Sequence, residues 1–307
     1  MGPLGAYFRQ VSALKSPSTA EAYTAGARHL VRFLLTKGWQ PNTLPRHGLI
    51  EFTQSLIEHG FAARSVHVYM IGAHQFLGFL REHGVQVPPL PMPKTPKPTR
   101  SRRTALHSPQ LLAFMRACTT LDEPYATALQ LLPATGLRIS EVCALQGRDV
   151  LRTPRENGAM VISFMVRDPK NKENRTVPLL SKAVPFLIRY LTEVRPDLGK
   201  GPWLFPSPRG FAGRATTGTG HVSIRSMQLH VERIRDVVGM KELTPHYLRH
   251  SYATALAEAG VNHFTMMAIL GHKNISTTTQ YVHFSPEALQ DAVDKLPATW
   301  LKGARDL

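Results

Sequence analysis

Apolar residues in the first 84 positions recur three and four apart, the spacing that lines up one face of a helix. Tyr23, Leu30, Val31, Leu34 and Leu35 form one such stripe, which Gly38 ends, and Ser18 followed by Glu21 is a capping-box start for it. Leu49, Phe52, Leu56 and Ile57 mark a second helix that stops at Gly60. A third runs from about Ser65 through Tyr69, Phe76, Leu77 and Leu80 to Gly84. These positions are read as core, and no chemistry is assigned to them.

The pattern breaks at residues 87–98, which hold six prolines and cannot continue a helix. Lys94, Lys97, Arg100, Arg102 and Arg103 follow within and just past this run, with no acid among them. An extended linker is expected, lying on phosphates if the partner is a polyanion. Beyond it the pattern is mixed. Helices are predicted from Ser108, over about 123–134, after Gly136, over about 182–194, 223–238, 246–259 and 263–270, and last from Ser285-Pro286. One stretch is strand-like: Met160 to Val166, a polar turn Asp168–Asn174, and a return through Arg175, Thr176, Val177, Pro178 and Leu179. The fold class expected is mainly α with a small antiparallel β-sheet. Its parts are a helical domain over 1–86, a basic linker over 87–104, and a mixed domain over 105–307 whose terminal helix spans 285–296.

Charge changes this picture more than composition does. Apolar content of 43% is ordinary, but 37 Lys and Arg against 21 Asp and Glu give a net charge of +16 over 307 residues. An excess of this size favours a polyanionic partner, and nucleic acid first. No apolar run is long enough to span a bilayer, and residues 1–20 lack the layout of a secretory signal. Cys118 and Cys143 have no CxxC or Cys/His cluster around them. That suits a reducing cytoplasm and two buried structural thiols, and argues against a disulfide framework or a structural zinc.

Four places in the second domain carry polar residues that a plain core or surface would not need. Arg138 and Glu141, three apart in Thr135-Gly136-Leu137-Arg138-Ile139-Ser140-Glu141, share a helix face beside a glycine turn. Alone, such a pair is an ordinary surface ion pair. Lys170 and Lys172 sit in the hairpin turn, where lysines ordinarily serve only solubility. His246 and Arg249 open a helix after Thr244-Pro245, where the amide dipoles already favour an anion. Finally, Leu270-Gly271-His272 is followed nine residues later by Tyr281, behind a Ser/Thr run that can cap a short helix.

In order and spacing this set resembles the tyrosine recombinase, or phage integrase, family, whose signature is Arg in TGLRxSE, a hairpin lysine, HxxR, LGH and a tyrosine nine residues on. The match covers roughly 130–296. The resemblance implies a SAM-like helical core-binding domain ahead of an α+β catalytic domain, in the simple two-domain manner of the Xer recombinases with no room for an arm-binding domain. It implies Tyr281 as nucleophile, Arg138 and Arg249 on the non-bridging phosphate oxygens, His246 as donor or base, His272 on the phosphate or Tyr281, and Glu141 in support. The hairpin lysine protonates the leaving oxygen. Counting seven back from Val177 selects Lys170, with Lys172 as the alternative.

The implied reaction takes no cofactor or metal. The implied partners are double-stranded DNA bearing recombination sites and further copies of the chain, four around two duplexes, with the terminal helix docking on a neighbour rather than on its own domain. These residues suit the chemistry. A phosphodiester repels nucleophiles and gains charge during attack, which planar, always-charged guanidinium forks offset. A tyrosine hydroxyl ionises only near pH 10, so it needs a proton acceptor or a cationic site. Two rivals share the pattern: a type IB topoisomerase that relaxes supercoils, and a non-catalytic DNA-binding relative.

Overall fold

The structure is a computed structural model and describes residues 2–96, 105–155, 160–167, 174–197, 201–208, 220–271 and 286–297. The chain divides into two compact units, Met1–Arg102 and Arg103–Leu307, and each has its own hydrophobic core. Among the described residues no helix is long and apolar enough to cross a membrane.

Among the described residues the first unit holds four α-helices: α1 (Pro3–Leu14), α2 (Pro17–Lys37), α3 (Gly48–Glu58) and α4 (Ala63–Glu82). The last three answer the apolar stripes of the sequence. α1 buries only Tyr7 and Val11, one i,i+4 step that is too short to show as a period. The start of α2 also differs from expectation. Ser16, not Ser18, is the N-cap, its Oγ accepting from Thr19 N at 3.4 Å, because Pro17 with its fixed φ opens the helix two residues earlier.

α2 and α4 cross backbone to backbone. A Cβ on Gly26 would lie 2.3 Å from Tyr69 O, and one on Gly72 would lie 2.3 Å from Tyr23 O. Tyr7 fixes the crossing further by donating its hydroxyl to Gly72 O at 3.1 Å. The proline-rich stretch is packed where it begins. Val87 and Leu90 are buried in this core, and His74 Nε2 donates to Leu90 O at 3.2 Å. Lys94, a few residues on, is exposed.

The second unit begins with α5 (Ser108–Cys118), α6 (Tyr125–Thr135) and α7 (Ile139–Cys143). Ser108 is the first helical residue rather than the cap: Gln110 Oε1 accepts from His107 N at 3.0 Å, making His107 the capping position. Every residue of α6 from Ala126 to Thr135 is buried, so this helix is the axis of the core. Cys118 and Cys143 are free and buried in the same core.

Among the described residues three antiparallel strands follow in the order β1 (Val150–Pro154), β2 (Met160–Arg167) and β3 (Asn174–Pro178). β1 escapes the sequence pattern because it is a short edge strand ending in proline. β2 and β3 register Phe164 against Val177 and Val166 against Arg175. Phe164, Val166 and Val177 are buried, so Arg175 occupies the core-facing side of its strand.

The remaining longer elements among the described residues are helices: α8 (Val184–Arg189), α9 (Ile224–Val237), α10 (Pro245–Glu258), α11 (His263–Leu270) and α12 (Pro286–Asp294). The helix expected over 182–194 is three pieces. A 3-10 turn precedes α8 and a π-helical turn follows it, where Arg195 N reaches back to Tyr190 O at 2.8 Å. α12 packs on its own domain instead of presenting its apolar face. Leu289, Ala292, Val293 and Leu296 join the core, and Gln290 Nε2 donates to Leu179 O and Ser181 Oγ, both at 3.1 Å.

Candidate active site

The site is assembled where α6 stops. Gly136 takes a left-handed φ of 65°, and its amide still reaches Leu132 O at 2.9 Å. A Cβ there would lie 2.3 Å from Cδ1 of the fully buried Tyr252, so only glycine fits this corner. The chain turns sharply and delivers Arg138 to the position just before α7. Glu141, at the third helical position, reaches back to accept from Arg138 N at 2.8 Å, as a capping-box glutamate does. Its other oxygen accepts from Arg138 Nη1 at 2.8 Å. The pair expected within one helix is thus a capping arrangement, with Arg138 outside the helix.

Glu141 serves more than Arg138. Arg175, from β3, donates Nη2 to Glu141 Oε2 at 2.9 Å, and Arg249, from α10, brings Nη1 to 3.9 Å from the same oxygen. The three guanidiniums also meet three consecutive carbonyls at the end of α11. Arg175 Nε donates to Ile269 O at 3.1 Å, Arg249 Nη2 to Leu270 O, and Arg138 Nη2 to Gly271 O at 3.3 Å. Arg249 Nη1 donates as well to Gly136 O at 2.7 Å. These acceptors are the orphan carbonyls of two helix C-termini, the negative ends of their dipoles. Gly271, left-handed at φ 63°, ends α11, and a Cβ there would lie 2.9 Å from the Arg175 guanidinium carbon.

The electrostatics follow from this packing. Burial alone would raise the Glu141 pKa, but hydrogen bonds and charge from Arg175 and Arg138 outweigh it and hold the carboxyl below its ordinary value. Burial, with Arg138 and Arg175 close by, pushes the Arg249 guanidinium down to about 10 against the opposing pull of Glu141, so it stays charged at neutral pH. The side chains differ in access: Arg138 is 44% exposed, Arg175 16% and Arg249 5%.

Arg138 and Arg249 face a groove of about 690 Å³ that His246, Arg225, Arg235 and Glu232 also line. His246 is exposed on the first turn of α10, whose N-cap Thr244 accepts from Tyr247 N at 3.1 Å. Cations outnumber the one acid, so the groove suits an anionic ligand of phosphodiester type.

The structure therefore brings together Arg138, Glu141, Arg249 and His246. Lys94 lies on the first unit, exposed. Tyr281, His272, Lys170, Lys172, Lys97, Arg100, Arg102 and Arg103 lie outside the described residues. Arg175 is the participant that sequence reading missed. Its signal was present as a charge two residues before Val177, on the side of the strand where an apolar residue belongs.

Comparison with known proteins fixes the class. The family model described as "Phage integrase family" matches residues 104–288. A protein named tyrosine recombinase XerD from Listeria monocytogenes is 30% identical over 287 residues, covering 90% of this chain and 91% of that one. A tyrosine recombinase from Thermosipho africanus is 29% identical over 289 residues, covering 92% of this chain and 94% of its own. Among solved structures, a lambda integrase tetramer bound to a Holliday junction shares the fold, with a TM-score of 0.66 and 16% identity over 91% of this chain and 75% of that one.

The chain belongs to the phage integrase family and is a site-specific recombinase, an enzyme that acts in DNA recombination. Within that family it is a tyrosine recombinase of the Xer-like kind.

Proposed function

We propose that this protein cleaves and rejoins DNA strands at a specific site through a covalent 3′-phosphotyrosine on Tyr281, with no metal and no nucleotide cofactor. The observation that carries the reading is the pair Arg138 and Arg249, held by Glu141 and by helix-end carbonyls at the wall of a cationic groove. Two fixed guanidiniums neutralise the non-bridging oxygens as attack adds charge to them. His246, on the same groove, donates to the phosphate or accepts the tyrosine proton, and His272 assists at the phosphate or at Tyr281.

The Tyr281 oxygen attacks phosphorus and the bond from phosphorus to the 5′ oxygen breaks. The leaving oxygen takes a proton from Lys170, or from Lys172 on the same hairpin. A 5′ hydroxyl from a second duplex then attacks the phosphotyrosine and releases the enzyme, so bond energy is conserved and strands exchange through a Holliday junction. In this reading residues 1–86 clamp the duplex, and the linker over 87–104 lays Lys94, Lys97, Arg100, Arg102 and Arg103 on phosphates. Residues 105–307 cut, and four copies act on two duplexes in the bacterial or mobile-element cytoplasm.

A nicked suicide substrate carrying a candidate site tests this. The expected result is an SDS-resistant protein–DNA adduct, absent in Tyr281→Phe and strongly reduced in Arg138→Ala and Arg249→Ala. An adduct that persists in Tyr281→Phe removes the nucleophile assignment.

A further inference from the structure

We infer that Arg175 is a positioning residue for strand cleavage: it fastens β3 to the end of α11 and, by occupying one oxygen of Glu141, keeps Arg249 turned toward the groove. The inference rests on the cleavage reading above. Arg175 is not among the residues that line the groove. Both its described contacts point inward, Nη2 to Glu141 Oε2 at 2.9 Å and Nε to Ile269 O at 3.1 Å. A buried guanidinium loses hydration, and an apolar residue would fill a core-facing strand position without that cost.

The geometry shows what the charge does there. Glu141 Oε2 already accepts from Arg138 N at 2.8 Å and from Arg175, which leaves Arg249 Nη1 at 3.9 Å from it. Arg249 instead donates to Gly136 O at 2.7 Å and to Leu270 O, and those bonds fix its plane at the groove wall. With Arg175 removed, Oε2 loses a partner, and the nearest cation able to replace it is Arg249. The cluster would also fall from three guanidiniums against one carboxylate, a net +2, to two against one, a net +1. Because Arg175 joins the return strand of the hairpin to the carbonyl just before Leu270-Gly271, it further ties together two segments that lead into Lys170 and His272. A lysine can supply the charge but not two donors in fixed, divergent directions.

The test compares wild type, Arg175→Ala and Arg175→Lys in single-turnover cleavage of the nicked substrate, with DNA affinity and thermal unfolding measured separately. For Arg175→Ala the expected result is an adduct-forming rate lower by about 10- to 100-fold, the usual effect of removing a group that orients a reacting one, with DNA affinity unchanged. The acid limb of its pH–rate profile should move to higher pH. The carboxyl of Glu141, faced by Arg138, Arg175 and Arg249, protonates more readily once Arg175 is gone. Arg175→Lys should recover part of the rate and most of the profile.

A folded Arg175→Ala that cleaves at the wild-type rate with the wild-type profile overturns the inference. So does a defect confined to DNA affinity, or loss of folding in both variants, which would leave Arg175 a purely structural residue. If wild type itself forms no adduct, the cleavage reading fails instead, and the two failures are told apart.

Discussion

Replacing Glu141 by glutamine tests the electrostatic core of the site directly. The carboxylate has a donor on each oxygen: Arg138 Nη1 at 2.8 Å on Oε1, and Arg138 N at 2.8 Å with Arg175 Nη2 at 2.9 Å on Oε2. Glutamine fits in shape, but its amide group must face a donor whichever way it turns. The better orientation keeps the two bonds on the Oε2 side, now to an uncharged acceptor, and loses the contact to Arg138 Nη1. Hydrogen bonds to a charged group contribute about 1.5–3 kcal/mol each, and removing one partner of a buried charge pair costs about 3–5 kcal/mol. Arg138 is 44% exposed and recovers water, which discounts its share. We expect a net loss of about 2–3 kcal/mol, or roughly 4–12 °C in the melting of the second unit, at about 2–4 °C per kcal/mol for a domain of this size.

The assay is thermal unfolding followed by circular dichroism at several pH values. The pH dependence has a definite sign. Glu141 has its folded pKa below the ordinary 4.5, so its stabilisation is complete above that value and is lost as pH falls through the folded pKa. The gap between wild type and Glu141→Gln should therefore be full at neutral pH and close below pH 4.5. A variant that melts with wild type at neutral pH, or a gap that widens in acid, refutes the reasoning.

Two further predictions concern packing. Gly72→Ala puts a Cβ 2.3 Å from Tyr23 O, a backbone atom that cannot swing away, so the α2–α4 crossing must open. Despite alanine's better helix propensity, of about 1 kcal/mol, the first unit should be destabilised by about 1–3 kcal/mol in denaturant unfolding; a stabilised variant would contradict the close crossing. Leu289→Ala removes a side chain that is 6% exposed on α12 and should cost the second unit about 2–4 kcal/mol in the isolated chain. Unchanged stability, with only assembly on DNA affected, would show that the helix face belongs to a neighbour after all.

The helices of both units were legible because their apolar stripes are long and their ends carry glycines: Gly38, Gly136 and Gly271 all sit at left-handed C-termini. α1 and β1 were not, since one buries a single i,i+4 pair and the other is a five-residue edge strand. The site divides in the same way. Arg138, Glu141, His246 and Arg249 lie in short motifs whose internal spacing is informative. Arg175 joins them through contacts distant in sequence, Glu141 and the Ile269 carbonyl, and its one local mark is a charge on the core-facing side of its strand. The resemblance implied that α12 docks on a neighbour, whereas within the single chain its apolar face packs on its own domain.

The receptor for the three arginines at the end of α11 is made of peptide carbonyls. A point substitution in Ile269 or Leu270 changes a side chain and leaves the acceptor in place, so that part of the site is insulated against exchange of residue type. It is not insulated against a change of length. Adding or deleting one residue within α11 turns its last carbonyls by about 100° about the helix axis. All three arginines would then lose their α11 acceptors together, keeping only Glu141 and Gly136 O. At the positions of α11 that are not buried, such as His263, Phe264, Met266 and Ala268, single replacements should therefore be accepted while single insertions and deletions are rejected, and a library pairing the two kinds of change would show that asymmetry.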